Sequence, residues 1–449
     1  MPAHSEKRRI GQPSLLLADP KGRVFDYPFL ECVGKSGSHF TAVEQWIPLP
    51  DGSKLFTLPE RSAVGWDPDA QQLRGVVDVW QGDYTPVPVA AFLPPGYVRT
   101  HLPGTELAEH SPLLPTWAYT CVAWHEGQFV AAAFRIDANA KWQPERYDDR
   151  ELLPRIEQRL AELPRNRLLK HLAHCAAVYH CFAAKNLFLD RWEAPLPVAS
   201  RCNAACLGCL SWQPKGRHVS SHHRIRFRPS VKEICEIAVR HLEVAPEAMV
   251  SFGQGCEGEP ILEHELIGEA IAAIRSETKR GTIHLNTNGS LPKEIEGLVK
   301  RGLDSVRISL NSCLPERYHA YFTPQDYSFL DVKRSAILAR QAGAYLHFNL
   351  LVFPGISDQQ QEIDALMEWI EATGVNHLQL KNLCIDPDAY VAAVSDSHDR
   401  GEGMRHLVKV LRTGASDVTL GYFNIPKEEF GLPRISAKKK AVARVGETP

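Results

Sequence analysis

The sequence has no long apolar run and almost no net charge. None of its hydrophobic stretches approaches the roughly 18 apolar residues of a membrane helix, so no membrane partner is expected. The formal net charge of −2 provides no global positive field, which argues against nucleic acid as a partner. Residues 1–10 are polar and charged rather than apolar, so no signal peptide is expected and a cytoplasmic location is predicted.

A disulfide framework is also not expected. The 11 cysteines are an odd number, and they are scattered unevenly over 449 residues. Several of them cluster, and in a chain with no signal peptide clustered cysteines indicate metal or redox chemistry. The hydrophobic fraction of 44% and the charged fraction of 23% are typical of globular proteins, and the length predicts two or three domains.

The first part of the chain favours short strands. Residues 1–147 are predicted to form a β-rich domain, because turn signals such as Asp19–Gly22, Pro50–Gly52 and His125–Gly127 separate short apolar runs. Residues 148–190 are predicted to be a helical connector. One helix, capped by Asp149, runs to Leu163, and a second covers Leu168–Phe188.

From residue 191 to residue 385 strands and helices alternate. The six predicted strands are Leu196–Ala199, Met249–Phe252, Thr282–Asn286, Ser305–Leu310, Tyr345–Val352 and His377–Leu380. The helices between them are Val231–Leu242, Ile261–Ile274, Pro292–Lys300, Leu330–Ala342 and Gln359–Ala372. This alternation predicts an α/β fold with a parallel sheet and helices outside it. Residues 386–449 are expected to be a C-terminal extension with a partly disordered tail.

Three closely spaced cysteines are the strongest chemical signal. Cys202, Cys206 and Cys209 follow the first predicted strand with the spacing C-x3-C-x2-C. Thiolates so placed suit zinc or an iron–sulfur cluster. Structural zinc usually takes four protein ligands, and no obvious fourth ligand completes the pattern, although His218, His222 and His223 lie near in sequence. Zinc therefore remains the alternative to a cluster on spacing alone.

The cysteine motif and the strand–helix series after it resemble the radical SAM superfamily, over about residues 195 to 385. The resemblance implies a partial (β/α)6 TIM-like barrel behind an N-terminal β-rich domain. It also implies that Cys202, Cys206 and Cys209 bind three irons of a [4Fe-4S] cluster, while S-adenosylmethionine chelates the fourth. Reduction then yields a 5'-deoxyadenosyl radical that abstracts hydrogen from a substrate.

Later strand ends match further motifs of that family. Gly258, Glu259 and Pro260 look like its glycine–glutamate–proline motif, which receives the ammonium of S-adenosylmethionine; alone they would be an ordinary turn. Asn288 is similar to its threonine–asparagine–glycine turn, which is also a common Asn-Gly turn. On the fourth strand Ser309 and Asn311 share a face with Arg307, where the family binds ribose or carboxylate. The resemblance implies that the backbone at Gly355 runs along the adenine. The alternative is that this segment is an ordinary turn before a helix capped at Ser357.

All these candidates fall near the C-terminal ends of strands, where parallel α/β proteins bind ligands. Two further pairs, His347 with Asn349 and Gln379 with Lys381, would line the substrate cavity or face away from it.

Three features depart from the family pattern. Gly208 is predicted to be a cofactor-binding position. The family usually has an aromatic residue there, and Trp212 is one candidate to supply that aromatic group instead. Cys256 inside the Gly-rich segment is interpreted as a small core residue, with a radical or methyl carrier as the alternative. Cys175, Cys181, Cys32 and Cys121 are interpreted as core or surface thiols rather than a second cluster, because positions six apart on a helix do not share a face.

Two classes of function follow. The first is a radical SAM enzyme with an electron donor such as flavodoxin or ferredoxin. Its substrate would be a small metabolite or cofactor precursor, since neutral charge disfavours RNA and the missing cysteine-rich extension disfavours peptide maturation. The second is a non-catalytic zinc-binding scaffold or interaction protein.

Overall fold

The computed structural model of the protein describes residues 12–76, 84–108, 111–143, 147–215, 220–394 and 400–432. Most of the tail expected to be disordered, residues 433–449, and His218 lie outside these ranges. No helix among the described residues is long and apolar enough to cross a membrane.

The N-terminal part is built from short antiparallel strands, as its turn signals predict. The described residues give β1 Ser14–Ala18, β2 Val24–Ser36, β3 His39–Ala42, β4 Ile47–Pro48, β5 Lys54–Thr57, β6 Arg61–Asp67, β7 Gln72–Gly75, β8 Val87–Phe92, β9 Tyr97–Arg99, β10 Leu102–Pro103, β11 Thr105–Leu107, β12 Val122–His125, β13 Gln128–Ala131 and β14 Ala133–Arg135. The turns at Gly22 and Gly127 close the predicted hairpins β1–β2 and β12–β13. The turn at Gly52 does not, because β4 pairs with β13 and β5 with β8.

The connector contains three helices in the described chain, not two. They are α1 Leu152–Glu162, α2 Arg167–Ala177 and α3 Phe182–Phe188. The predicted cap at Asp149 is wrong: α1 begins after Glu151, and the Asp149 carboxylate instead accepts a hydrogen bond from Lys185 Nζ at 2.6 Å. The predicted second helix breaks between Ala177 and Phe182, where His180 has a positive φ of 52°.

The remaining elements alternate in the predicted order. They are β15 Glu193–Pro195, α4 Val231–Val244, β16 Met249–Phe252, α5 His264–Glu277, β17 Thr282–Thr287, α6 Pro292–Lys300, β18 Ser305–Leu310, α7 Pro315–Phe322, α8 Phe329–Gln341, β19 Tyr345–Val352, α9 Gln360–Thr373, β20 His377–Asn382, α10 Pro387–Val394, α11 Met404–Gly414 and β21 Thr419–Gly421. A 3-10 turn, Pro260–Glu263, precedes α5.

Within the described residues β15 to β21 form one sheet of parallel strands in sequential order. Right-handed connections between successive parallel strands, all running in the same direction across the sheet, place the helices of these connections on one face of the sheet. The sheet therefore curls with those helices outside it. Since β15 and β21 do not pair in the described chain, the barrel is incomplete. The predicted α/β class and partial barrel are confirmed. The predicted domain boundaries stay a prediction.

Three details differ from expectation. The first barrel strand is Glu193–Pro195, not 196–199, because the backbone N–H groups of Val198 and Ala199 donate to the Glu257 carboxylate instead of joining a ladder. Helix α7 was not predicted. Strand β21 extends the sheet to a seventh strand, although the sequence assigned that region only to an extension.

The N-terminal strands dock on the C-terminal ends of β19 and β20. Gly37 N donates to Pro354 O at 2.8 Å, and a β-carbon on Gly355 would overlap the backbone there. The buried Arg61 pairs with Asp386 at 2.7 Å. The buried guanidinium of Arg99 donates to Leu383 O at 2.9 Å. The β-rich part therefore covers one side of the barrel mouth.

Candidate active site

The three predicted cluster cysteines lie in one loop between β15 and α4. Cys202, Cys206 and Cys209 are half-buried. Helix α7 holds the loop through backbone bonds, since Ala205 N donates to Phe322 O at 3.0 Å and Leu207 N to Tyr321 O at 2.9 Å. The loop therefore rests on the barrel instead of projecting freely.

The thiols suit a metal-bound state. Burial raises the pKa of Cys202 to about 11, and burial together with the two neighbouring thiols raises that of Cys206. Thiolates are thus costly here unless a cation compensates them, as a metal does. Residues of this kind in this loop fit an iron–sulfur cluster.

The three loop cysteines do not form a compact group of ligands. Ligands of one zinc ion lie close together, whereas a four-iron cluster spreads three cysteines over three irons. Within the described part of the chain, the group of potential metal ligands whose atoms all lie within 4.8 Å of one another is His171, Cys175 and Cys256, not the loop cysteines. This absence does not favour the zinc alternative for the loop.

Gly258 and Glu259 bring the end of β16 against the cysteine loop. Gly258 N donates to Ala199 O at 2.7 Å and Glu259 N to Arg201 O at 2.8 Å, and a β-carbon on Gly258 would overlap the Arg201 carbonyl. Only glycine allows this approach. Pro260 follows as the buried first residue of the 3-10 turn.

Glu259 is a buried carboxylate fixed from the next strand. It accepts bonds from Thr287 Oγ1 at 2.6 Å and Asn288 N at 2.8 Å. Burial raises its pKa to about 7, because its charged form lacks solvent. A cationic group such as an ammonium would relieve this cost, so the environment of Glu259 fits the role that the motif implies.

Asn288 joins the third strand end to the cysteine loop. Its Nδ2 donates to Asn203 Oδ1 at 2.8 Å, and its Oδ1 accepts from Ser290 N at 3.0 Å. Three predicted segments thus converge: the cysteine loop, the Gly258–Pro260 turn and the Asn288 turn.

Glu257 is a residue that the motif comparison missed. It is buried between the Gly-rich turn and the strand before the cysteines, accepting from Val198 N at 2.8 Å, Ala199 N at 3.0 Å and Gly253 N. Burial raises its pKa to about 7. A carboxylate with three backbone donors fixes the relative position of the two segments. The sequence feature that could have identified Glu257 is the presence of a second glutamate two residues before Glu259.

Tyr321 explains the unusual Gly208. A β-carbon at position 208 would lie 2.8 Å from Tyr321 Oη and 2.9 Å from Cys384 O, so no side chain fits. Trp212, the candidate from sequence, is 45% exposed. Burial raises the pKa of Tyr321, and the charges of Cys206 and Cys209 raise it further. The aromatic group beside the cluster loop therefore comes from α7.

Ser309 lies on β18, and Asn311 is the first residue after that strand. Ser309 Oγ accepts from Asn349 Nδ2 at 3.3 Å. Asn311 Nδ2 donates to Arg317 O and Tyr390 Oη, both at 3.1 Å, and its buried Oδ1 has no hydrogen-bond partner among the described residues. A buried acceptor without a donor fits a ligand that donates.

Gly355 lies apart from these groups. It is buried against Gly37 of the β2–β3 turn, and its N–H donates to Asp358 Oδ1 at 2.6 Å. Its adenine role stays a prediction, but the N-terminal strands occupy the side where its β-carbon would be.

The barrel interior is polar. Arg307 Nη1 donates to Gln379 Oε1 at 3.1 Å and Asn424 Oδ1 at 3.3 Å. Asn424, which follows β21, also donates to Glu193 Oε1 at 2.7 Å. Burial lowers the pKa of Arg307 to about 10 and that of Lys381 well below its usual range.

Arg224 donates to a predicted cluster ligand. Its Nη2 lies 3.5 Å from Cys209 Sγ, and its Nε donates to Ser211 Oγ at 3.1 Å. The neighbouring Arg226 is exposed.

Replacing Arg224 by Gln is expected to lower the cluster's reduction potential, because the cation favours the more negative reduced state. The shift should be on the order of 50 mV, since ~59 mV of a one-electron couple is a tenfold change in equilibrium. A redox titration followed by EPR measures it. Arg226→Gln is the matched control, and equal potentials in the two variants would contradict the assignment of Arg224.

Residues 196–370 match the family model described as the Radical SAM superfamily. This part of the chain is a radical SAM domain, as the motifs predict, and the cofactors of that domain are a [4Fe-4S] cluster and S-adenosylmethionine.

Curated relatives are similar over the same region. A probable GTP 3',8-cyclase of Methanosarcina acetivorans is 27% identical over 239 residues, which is 52% of this chain and 65% of the relative. A GTP 3',8-cyclase of Corynebacterium glutamicum is 32% identical over 171 residues, 36% of this chain and 41% of the relative. The chain thus spans less than two thirds of the length of these relatives.

Among solved structures, the X-ray structure of the FeFe-hydrogenase maturase HydG from Carboxydothermus hydrogenoformans is similar at 17% identity. The match covers 61% of this chain and 66% of that one, with a TM-score of 0.37.

Proposed function

We propose that the protein is a radical SAM enzyme whose substrate is a small anionic molecule bound inside the barrel. The observation that carries the proposal is the convergence of the cysteine loop with Glu259 and Asn288 at the C-terminal ends of parallel strands. When bound and reduced, the cluster and S-adenosylmethionine supply a 5'-deoxyadenosyl radical that abstracts hydrogen.

The chain's own residues hold and orient these groups. In this proposal Cys202, Cys206 and Cys209 bind three irons and leave the fourth to the cofactor. The Gly258 backbone and the Glu259 carboxylate receive the ammonium. Gly208, Asn288, Ser309, Asn311 and Gly355 stay predicted contacts to the rest of S-adenosylmethionine, and the orphaned Oδ1 of Asn311 is the strongest of them.

The excess of positive charge inside the barrel supports an anionic substrate. Arg307 and Lys381 lie close enough that the charge of Arg307 lowers the pKa of Lys381. Burial is the main cause that lowers the pKa of both cations, and the charge of Glu193 raises it for both. Arg307 Nε is buried and without a hydrogen-bond partner among the described residues. A phosphate or carboxylate would compensate both cations.

The names of the relatives favour a small molecule over a peptide or RNA. Those relatives are named GTP 3',8-cyclases, and GTP is a small polyanion. GTP is therefore the first compound to test. A peptide or RNA substrate remains the alternative outcome.

The test is an anaerobic assay of the reconstituted protein with a reductant and S-adenosylmethionine. We expect 5'-deoxyadenosine, and we expect GTP or a compound in the anion-exchange fraction of a metabolite extract to be consumed only when S-adenosylmethionine is present. A colourless protein that forms no 5'-deoxyadenosine would refute the enzyme class. Turnover restricted to neutral or cationic fractions would refute the anionic substrate alone.

Replacing Arg307 by Gln should raise the KM for the substrate about 10- to 100-fold, because a hydrogen bond to a charged group contributes ~1.5–3 kcal/mol. Substrate-independent cleavage of S-adenosylmethionine should be retained, since the hydrogen bonds of Arg307 go to Gln379 and Asn424 and not to the cysteine loop or Glu259. The control is Arg340→Gln on the exposed side of α8. An unchanged KM would remove Arg307 from the substrate site.

The electron donor and the compartment complete the proposal. A flavodoxin or ferredoxin is the proposed one-electron donor. The proposed compartment is the reducing cytoplasm, where thiols such as the Cys32–Cys121 pair, whose sulfur atoms lie 3.7 Å apart, stay reduced.

A further inference from the structure

A second group of soft ligands lies outside the cysteine loop. His171 and Cys175 on α2 meet Cys256 of the Gly-rich turn, and one ligand atom from each lies within 4.8 Å of the others. The interpretation of Cys256 as a spare core residue does not account for this arrangement.

Local structure explains how the three residues meet. His171 and Cys175 are four residues apart on α2 and so share a face. Cys256 is held by its backbone, whose carbonyl accepts from Ile225 N at 2.9 Å. Cys175 is 1% and Cys256 6% exposed, so the two thiols meet in the interior.

The distances fit one tetrahedral ion. Zinc–sulfur and zinc–nitrogen bonds of ~2.3 and ~2.0 Å at the tetrahedral angle place the two ligand atoms roughly 3.5 Å apart. His171 Nε2 and Cys175 Sγ lie 3.6 Å apart. A four-iron cluster would need its sulfur atoms more widely spread.

Cys181 and His222 are hydrogen-bonded to the segments that carry this group. Because the chain breaks after α2, Cys181 N donates to Cys175 O at 3.1 Å. The prediction had placed Cys175 and Cys181 on one helix, whereas α2 ends at Ala177 and Cys181 precedes α3. The His222 side chain hydrogen-bonds Gly255 O, next to Cys256.

We propose that His171, Cys175 and Cys256 bind a zinc ion. The ion would tie the helical connector to the turn that carries Gly258 and Glu259. It is distinct from the cysteine loop, because none of its three ligands belongs to that loop.

The test measures zinc in the cluster-reconstituted protein after equilibration with Zn²⁺ and gel filtration. We expect about one zinc per chain, and zinc-edge X-ray absorption, which does not detect the iron, should show two sulfur neighbours at ~2.3 Å with nitrogen at ~2.0 Å. Cys175→Ala should lose the zinc and keep the cluster iron. Cys235→Ala, a half-buried cysteine on α4, should keep both.

Three results would overturn the proposal. The protein could hold no zinc tightly, the zinc coordination shell could contain no sulfur, or Cys175→Ala could keep an unchanged coordination shell with two sulfur ligands. If Cys175→Ala does not fold, alkylation of the wild-type holoprotein decides the matter. Zinc should protect Cys175 and Cys256 from N-ethylmaleimide at least tenfold, and equal labelling with and without zinc would refute the site.

Discussion

Cys206→Ala is expected to yield a colourless protein whose iron falls from about four per chain to background. Reductive cleavage of S-adenosylmethionine should fall at least 1000-fold, because the cofactor binds to the iron that the three thiolates leave open. Iron and sulfide analysis and quantification of 5'-deoxyadenosine measure the two effects.

The matched control is Cys235→Ala, which removes a half-buried thiol on α4, outside the loop, and should retain colour and cleavage. Cleavage retained in Cys206→Ala would refute the cluster assignment. A variant that lost cleavage but kept four irons would instead move the ligand set to other cysteines.

Gly258→Ala is expected to weaken binding of S-adenosylmethionine at least 100-fold, which is ~2.7 kcal/mol. The added β-carbon would overlap the Arg201 carbonyl, so the turn that carries Glu259 must move away from the cysteine loop. The same overlap should lower the free energy of unfolding by ~1–3 kcal/mol. Equilibrium binding and denaturant unfolding of the reconstituted protein measure the two quantities.

Gly297→Ala provides the control within the same barrel. Gly297 lies in α6 with nothing within 4 Å of its β-carbon position. Alanine there should raise the free energy of unfolding by ~0.5–1 kcal/mol and leave cofactor binding unchanged. If Gly258→Ala bound S-adenosylmethionine like Gly297→Ala, the close approach of the two segments would not matter for binding.

Sequence periodicity located the barrel well because its later strands are short runs in which apolar residues recur at every second position, bounded by turn residues. Strands β18 and β19 have the predicted bounds. The first strand lies earlier than predicted because the N–H groups of Val198 and Ala199 donate to the Glu257 carboxylate instead of to a neighbouring strand. Glu257 lies 58 residues after Ala199, so no local sequence pattern contains this contact.

The site was predictable only where family motifs are local. The cysteine spacing and Gly258–Pro260 were visible, whereas Tyr321, Glu257 and Arg224 reach the loop from elsewhere in the chain. The group of His171, Cys175 and Cys256 was missed for the same reason, and because the break before Phe182 was not predicted.

The docking of the β-rich part has a consequence for biosynthesis. The guanidinium of Arg99 is fully buried, and its partner Leu383 lies 284 residues later in the chain. At ~5–20 residues per second a ribosome needs roughly 15 to 60 s to reach that partner. For that time the nascent N-terminal part carries cations that lack their partners in the barrel, Leu383 O for Arg99 and Asp386 for Arg61. The docking of this part must therefore wait until the last barrel strands emerge.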